Sequence, residues 1–86
     1  MKTLEQIITK EKETRSENGI FGIKACKESI LSEIARNERY NLQNQTNIYT
    51  TSLYVLLEKY VKRANEDIFF NKTMVLACWE LINGIE

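Results

Sequence analysis

The 86-residue chain contains no histidine and no proline, and it has only three glycines and two cysteines. Without histidine, the sequence lacks the most common general base and the most common metal ligand. A nucleophile–histidine–acid triad is therefore impossible. The absence of proline and the scarcity of glycine favour helices, because these two residues are the strongest helix breakers. We therefore expect an all-α protein that is not an enzyme.

Other ligand-binding motifs are missing as well. Gly19 and Gly22 are the only closely spaced glycines, and no lysine–serine or lysine–threonine pair follows them as it would in a phosphate-binding loop. Cys26 and Cys78 are far apart in the sequence, so they do not have the paired spacing of a zinc site. The sequence thus predicts no catalytic residue, no cofactor and no bound metal.

Charge and hydropathy set further limits. The 12 basic and 12 acidic side chains cancel, which argues against a protein built to grip a bare phosphate backbone. Uninterrupted apolar runs such as Leu53–Leu57 are far shorter than the roughly 20 residues that a membrane-spanning helix needs. No apolar stretch of signal-peptide length follows Met1. We expect one cytoplasmic domain over residues 1–86, with reduced, buried cysteines and no contact with membranes.

Apolar spacing and capping residues predict four helices. The predicted helices are Thr3 to about Glu17, Phe21 to about Arg39, Thr46 or Asn47 to about Asn65, and Met74 to about Asn83. Because only Leu4, Ile7 and Ile8 supply apolar surface to the first helix, we expect residues 1–18 to be held weakly and to fray. If the second helix starts just after Gly22, Ile20-Phe21 becomes an extended apolar anchor.

The fourth helix is apolar on nearly every side, with Glu80 as its only charged residue. Such a helix must be covered all round. The other helices could wrap it as the central element, or a second copy could cover part of it. We favour the second arrangement, because the first helix offers so little apolar surface. The expected fold is a bundle of three to four helices that is completed by homodimerisation.

Aromatic side chains are more numerous than so small a core can hold. Tyrosine and tryptophan lose little entropy on ordering and are frequent hot spots of protein interfaces. We therefore expect some of them to contact a protein partner, although core packing is the ordinary role of each one taken singly. The candidate partner-binding residues are Tyr49, Tyr54, Tyr60, Phe69, Phe70 and Trp79.

The stretch Asn41–Leu57 has no charged residue, in a chain that is 28% charged, and its first part is rich in amide side chains. Amides can pair with adenine edges when they lie on the first turn of a helix in the major groove. They can equally cap helices and line a loop. The possible polar or nucleic-acid contacts are Asn44, Gln45, Asn47 and Thr50, together with a small basic patch of Lys59, Lys62 and Arg63.

These observations favour a non-enzymatic module that acts by stoichiometric protein–protein contact. Isoleucine, asparagine and lysine are abundant, which indicates AT-rich coding and hence a low-GC bacterium, its phage or a plasmid. The sequence-based hypothesis is an accessory protein of a phage or other mobile element that inhibits a host protein such as a defence nuclease. One alternative is a nucleic-acid-binding transcriptional regulator. Another alternative is a bacteriocin immunity protein, because the chain is similar to that family in size, neutral charge and helical pattern.

Overall fold

The computed structural model describes residues 1–85, which form four helices and no strand. The helices are α1 (Leu4–Glu13), α2 (Ile23–Asn44), α3 (Leu53–Glu66) and α4 (Thr73–Ile82). The prediction of a small all-α bundle is therefore confirmed. None of these helices is both long enough and apolar enough to cross a bilayer.

Helix α1 begins where its cap predicts. The Thr3 hydroxyl accepts a hydrogen bond from the Gln6 backbone, and the Gln6 side chain accepts one from the Thr3 backbone, which makes a complete capping box. Ile7 and Ile8 are buried. The helix ends at Glu13, earlier than predicted, and residues beyond it supply no apolar side chain that would hold another turn against the core.

Helix α2 starts after Gly22 rather than at Phe21, and it continues past Arg39 to Asn44. Gln45 then ends it in the left-handed conformation, with φ of 50°. Its buried residues, Ile23, Cys26 and Ile30, all lie in its first half. The second half therefore extends beyond the core, and the molecule measures 42 Å along its longest axis against 27 and 23 Å across.

The prediction that the third helix starts at Thr46 or Asn47 is wrong. Helix α3 starts at Leu53, and the Ser52 side chain caps it by accepting a hydrogen bond from the Val55 backbone. Asparagine side chains of α2 hold the preceding backbone outside a helix. Asn37 Nδ2 donates to the Thr50 carbonyl at 2.9 Å, and Asn41 Nδ2 donates to the Tyr49 carbonyl at 2.8 Å.

Helix α4 is the central element, and each of the other three helices packs against it. Four consecutive residues, Val75, Leu76, Ala77 and Cys78, are completely buried within the single chain. Met74, Trp79, Leu81 and Ile82 are only partly buried, so cover of this part of α4 by a second copy stays a prediction. The three other helices pack around α4, and Ala77 and Cys78 belong to the buried core.

Both cysteines are free and buried, as predicted. Burial raises the pKa of the Cys26 thiol, and it raises the pKa of Cys78 to about 11. Cys78 Sγ lies 3.3 Å from the Leu53 carbonyl oxygen, to which it can donate a hydrogen bond. A raised pKa disfavours the thiolate, which is the reactive form of cysteine. The two buried side chains therefore pack as small apolar groups.

Candidate interaction surface

Three of the six aromatic candidates are packed against the protein itself. Tyr60 is only 3% exposed, and its hydroxyl donates to Glu33 Oε2 at 3.0 Å. Burial raises the pKa of Tyr60, and the adjacent Glu33 carboxylate raises it further. Phe70 is half-buried and lies with its ring 5.9 Å from that of Tyr60. Tyr60 therefore belongs to the core, and Phe70 is largely covered by it.

Cations cover the faces of two half-buried rings. The Lys12 ammonium lies 4.5 Å from the ring centre of Trp79, and the Arg63 guanidinium lies 4.6 Å from that of Phe70. Such contacts are attractive because the faces of aromatic rings carry negative charge. The side chain of Trp79 is also packed against the core. Neither ring presents a free face of the kind that the sequence-based expectation assumed.

The remaining candidates, Tyr49, Tyr54 and Phe69, are exposed but do not form one surface. Tyr49 lies in the connection between α2 and α3, and Tyr54 lies in the first turn of α3. Phe69 follows the other end of that helix, which is 14 residues long. At 1.5 Å per residue, α3 separates the two tyrosines from Phe69 by about 20 Å.

Phe69 instead lies on one of two connections that Asn71 joins. The exposed large apolar residues of these two connections are Ile20, Phe21, Ile68 and Phe69, which are 67–89% exposed. Asn71 joins the two connections, because its Nδ2 donates to the Phe21 carbonyl at 3.4 Å. We call these four residues the apolar loop pair. Exposed large apolar side chains on two joined connections are candidates for contact with a partner.

Backbone hydrogen bonds fix the first connection of this pair. The Ile23 amide donates to the Ser16 carbonyl at 2.8 Å, and the Gly22 amide donates to the Gly19 carbonyl at 3.1 Å. Gly19 has a φ of +93°, which other residues rarely adopt. A Cβ atom on Gly22 would lie 2.5 Å from the Asn18 carbonyl oxygen. The glycines therefore make possible the tight turn that presents Ile20 and Phe21.

A buried ion cluster anchors the same connection to the core. Glu80 on α4 is only 1% exposed, and its carboxylate accepts hydrogen bonds from Arg15, which lies just before the turn. Lys27 on α2 binds the same carboxylate, with its Nζ 2.9 Å from Oε1. Burial alone would raise the pKa of Glu80, but hydrogen bonds from Arg15 and Lys27 outweigh it and lower the pKa.

Side-chain oxygens fix the second connection. Asp67 Oδ1 accepts a hydrogen bond from the Phe69 amide at 2.9 Å, and the Asp67 carbonyl accepts one from the Phe70 amide at 3.1 Å. Asn71 Oδ1 accepts one from the amide of Thr73, the first residue of α4, at 3.1 Å. Ile68 and Phe69 are thus held on an ordered turn.

Sequence reasoning recognised parts of this surface but did not join them. Ile20-Phe21 was identifiable as an extended apolar anchor, since it lies between Gly19 and Gly22. Phe69 was a candidate because it is aromatic. The pairing of the two turns depends on Asn71, whose contact with Phe21 crosses 50 positions of sequence. No local pattern reveals such a contact.

The amide candidates are not on the first turn of a helix. Asn44 is the last residue of α2 and donates to the Tyr40 carbonyl at 2.9 Å, while Gln45 forms the helix end. Asn47 and Thr50 lie in the connection that follows. The helical placement on which the nucleic-acid hypothesis depended is therefore not found.

The basic candidates are exposed on α3. The Arg63 guanidinium lies over the Phe70 ring and 3.9 Å from Asp67. Lys62 lies beside Glu58 and Glu66 at an apolar cleft of about 380 Å³. Lys59 follows Glu58 directly. Acidic neighbours thus offset the charge of this patch.

Comparisons add no relatives to this description. The chain matches no protein-family model, no curated protein and no solved structure. Within residues 1–85, no group of three acidic or cysteine side chains could hold a metal ion.

Proposed function

We propose that this protein is a non-enzymatic binding module that inhibits another protein by stoichiometric contact through the apolar loop pair. The supporting observation is the set of four large, exposed apolar side chains on two turns that Asn71 connects. The proposed setting is the cytoplasm, and the proposed role is that of an accessory protein of a phage or other mobile element. A host protein, such as a defence nuclease, is the proposed target.

The order of the two turns supports this role. A loop that is already fixed loses little conformational entropy when it binds, so more of the contact energy contributes to affinity. Hydrogen bonds to Ser16, Gly19 and Asp67 fix the backbone on either side of the exposed side chains. Two exposed phenylalanines on turns suit an apolar cleft of a partner, where buried aromatic anchors contribute most to affinity.

The test is a comparison of three immobilised forms of the full chain in lysate of the cells that carry the gene. They are the natural protein, a double variant Phe21→Ser/Phe69→Ser and a control Leu31→Ser, which removes an exposed apolar side chain from α2. A specific partner should be retained by the natural protein and by the control, and lost by the double variant. Titration of the purified partner should give a 1:1 ratio of chains.

Losing two aromatic anchors should weaken the complex by at least about a hundredfold, since a hot-spot residue contributes about 2 kcal/mol or more. Circular dichroism should show unchanged helix content in all three forms, because both phenylalanines are exposed. The proposal fails if the double variant retains the same protein with the same affinity. It also fails if every protein that the natural chain retains is retained by the double variant as well.

A further inference from the structure

Two asparagines of this chain directly precede a glycine, and both pairs continue with isoleucine. They are Asn18-Gly19-Ile20 in the α1–α2 connection and Asn83-Gly84-Ile85 after α4. An asparagine before glycine loses its side-chain amide readily, because glycine has no side chain that would hinder its backbone nitrogen. The two asparagines thus have the same residues on their reactive side, and the fold distinguishes them.

This loss of the amide, called deamidation, requires only water. The glycine nitrogen gives up its proton to solvent and attacks the side-chain carbon Cγ, so a nitrogen–carbon bond forms and closes a succinimide ring. The bond between Cγ and Nδ2 breaks, and this nitrogen takes up a proton from water and leaves as ammonia. Water then opens the ring at either carbonyl carbon, which gives aspartate or isoaspartate. In isoaspartate the main chain is longer by one methylene group.

At Asn18, no contact restrains the groups that react. Asn18 and Gly19 are exposed, and within residues 1–85 neither the Asn18 side chain nor the Gly19 amide makes a hydrogen bond. No atom beyond the neighbouring residues lies within 4 Å of the position that a Cβ on Gly19 would occupy. The Asn18 side chain therefore has room to turn towards the Gly19 nitrogen.

Ser16 favours the first step of the reaction. Its hydroxyl donates to the Asn18 carbonyl oxygen at 3.2 Å. That oxygen belongs to the same peptide group as the Gly19 nitrogen, so it takes up negative charge when the nitrogen loses its proton. A hydrogen bond to the charged form of a group favours that form. The Ser16 hydroxyl thus promotes formation of the attacking nitrogen.

At Asn83, both reacting groups are engaged in hydrogen bonds. The Gly84 amide donates to the Leu81 carbonyl at 3.3 Å, and Asn83 Nδ2 donates to the Trp79 carbonyl at 2.8 Å. The second bond directs the Asn83 side chain back along α4 and away from Gly84. Because both bonds must break before the ring can close, the fold protects Asn83.

The α1–α2 connection has no room for the longer main chain of isoaspartate at Asn18. The Ile23 amide donates to the Ser16 carbonyl at 2.8 Å, which closes the turn around Asn18. The Asn18 backbone also lies so close to Gly22 that a Cβ there would be 2.5 Å from the Asn18 oxygen. An inserted methylene group must disturb this closure, and the new carboxylate adds a negative charge beside Glu17.

We propose that Asn18 is a site of spontaneous deamidation, promoted by Ser16, and that isoaspartate at this position opens the turn that presents Ile20 and Phe21. The lost ammonia is not returned, so the reaction acts as a slow one-way switch on this turn. It depends only on water and on contacts within the chain. The assignment is therefore independent of the function proposed for the apolar loop pair.

The test follows both asparagines in the folded full chain during incubation at neutral and mildly alkaline pH. Trypsin cleaves after lysine and arginine, so residues 16–24 and 73–86 form separate peptides that carry the two sites. Mass spectrometry detects the exchange of NH for O in each peptide, and an isoaspartate-specific methyltransferase labels isoaspartate. A sample digested before incubation corrects for reaction during digestion.

In the natural chain, Asn18 should convert at least about tenfold faster than Asn83, because breaking the two protecting hydrogen bonds raises the barrier at Asn83. In urea the two rates should become similar. Ser16→Ala should slow the conversion of Asn18 severalfold, and Asn18→Gln should prevent it, since glutamine would have to close a larger ring. Both positions are exposed, so circular dichroism should show the natural helix content in both variants.

The effect on the turn is measured on the isoaspartate form, which ion exchange separates because it adds a negative charge to a chain of zero net charge. Hydrogen exchange at the Ile23 amide should be faster in this form than in the natural chain. Asn18→Asp is the matched control, because it carries the same charge on a main chain of natural length. Its Ile23 amide should stay protected.

Three results would each overturn the proposal. Equal conversion of Asn18 and Asn83 in the folded chain would remove the distinction between the two sites. An unchanged rate in Ser16→Ala would remove the role of the hydroxyl. Exchange at Ile23 that is no faster in the isoaspartate form than in Asn18→Asp would show that the turn accommodates the longer main chain. None of these measurements requires a binding partner.

Discussion

At the scale of single residues, Glu80 has the least usual environment among residues 1–85. It is the one charged side chain in α4, and its buried carboxylate is shared by Arg15 and Lys27. A buried carboxylate is tolerated only where cations and hydrogen bonds compensate for lost water. Here the compensation has a structural consequence, since it holds the α1–α2 connection and the first turns of α2 against the central helix.

Replacing Glu80 by glutamine should destabilise the protein by about 2–3 kcal/mol, the range for hydrogen bonds to a charged group that are lost within a protein. Arg15 and Lys27 would then share a partly buried site with no carboxylate. Urea unfolding measures the change. Glu17→Gln is the matched control, because Glu17 also contacts Arg15 but is exposed, and it should change stability by less than about 0.5 kcal/mol. Equal effects of the two variants would contradict the anchoring role.

The same residue should contribute to the pH dependence of stability. The pKa of Glu80 is lower in the folded protein than in the unfolded chain, so its ionised form stabilises the fold above the unfolded-state pKa. That contribution should be lost as the pH falls through the lower, folded-state value. A plot of unfolding free energy against pH should therefore fall less steeply in acid for Glu80→Gln than for the natural chain. Parallel curves would show that Glu80 does not titrate differently on folding.

At the scale of elements, the helices were easier to predict than the connections. The Thr3 capping box is a local pattern and is found, whereas the N-cap of α4 is Lys72, which makes no side-chain cap. The start of α3 was misplaced because Tyr49 continues the helical apolar spacing of Leu53, Leu56 and Tyr60. Hydrogen bonds from Asn37 and Asn41 of the preceding helix hold that backbone elsewhere. Tertiary contacts of this kind override local propensity.

The α1–α2 connection should respond to substitution at Gly22 more strongly than at Gly19. In Gly22→Ala, the new Cβ would lie 2.5 Å from the Asn18 backbone oxygen, so the turn must open. In Gly19→Ala, no atom lies within 4 Å, and only the positive φ is unfavourable. We expect about 2–4 kcal/mol for the first and about 1–2 kcal/mol for the second.

Hydrogen exchange distinguishes an opened turn from general destabilisation. The amides of Gly22, Ile23 and Lys24 donate to the residues before the turn, so they should lose protection in Gly22→Ala. The amides in the middle of α3 serve as an internal control and should lose protection only by the global change in stability. Unchanged exchange at Ile23 would contradict the role of Gly22 in closing the connection.

At the scale of the whole molecule, the sequence predicted that α4 must be covered but could not identify what covers it. An apolar pattern on every side indicates burial, and a second copy or the other three helices would satisfy it equally. Ile7 and Ile8 of α1 contribute to the cover of its buried residues, together with α2 and α3. Part of the apolar surface that remains is at the connections, where exposed residues carry no helical periodicity that would mark them, and part is on α2 and α3, at residues such as Leu31 and Tyr54.

Because α1, α2 and α3 each pack against α4, the fold should unfold as one unit. Leu76 is completely buried in the middle of α4, and Leu76→Ala should cost about 2–5 kcal/mol through lost contacts and the cavity left behind. Leu31→Ala on the outer side of α2 should cost less than about 0.5 kcal/mol, since that side chain is half exposed. Urea unfolding followed by Trp79 fluorescence and by helix content should give coincident transitions in the natural chain and in both variants. Separate transitions after truncation of Leu76 would mean that some helices hold together without α4, which would contradict its central role.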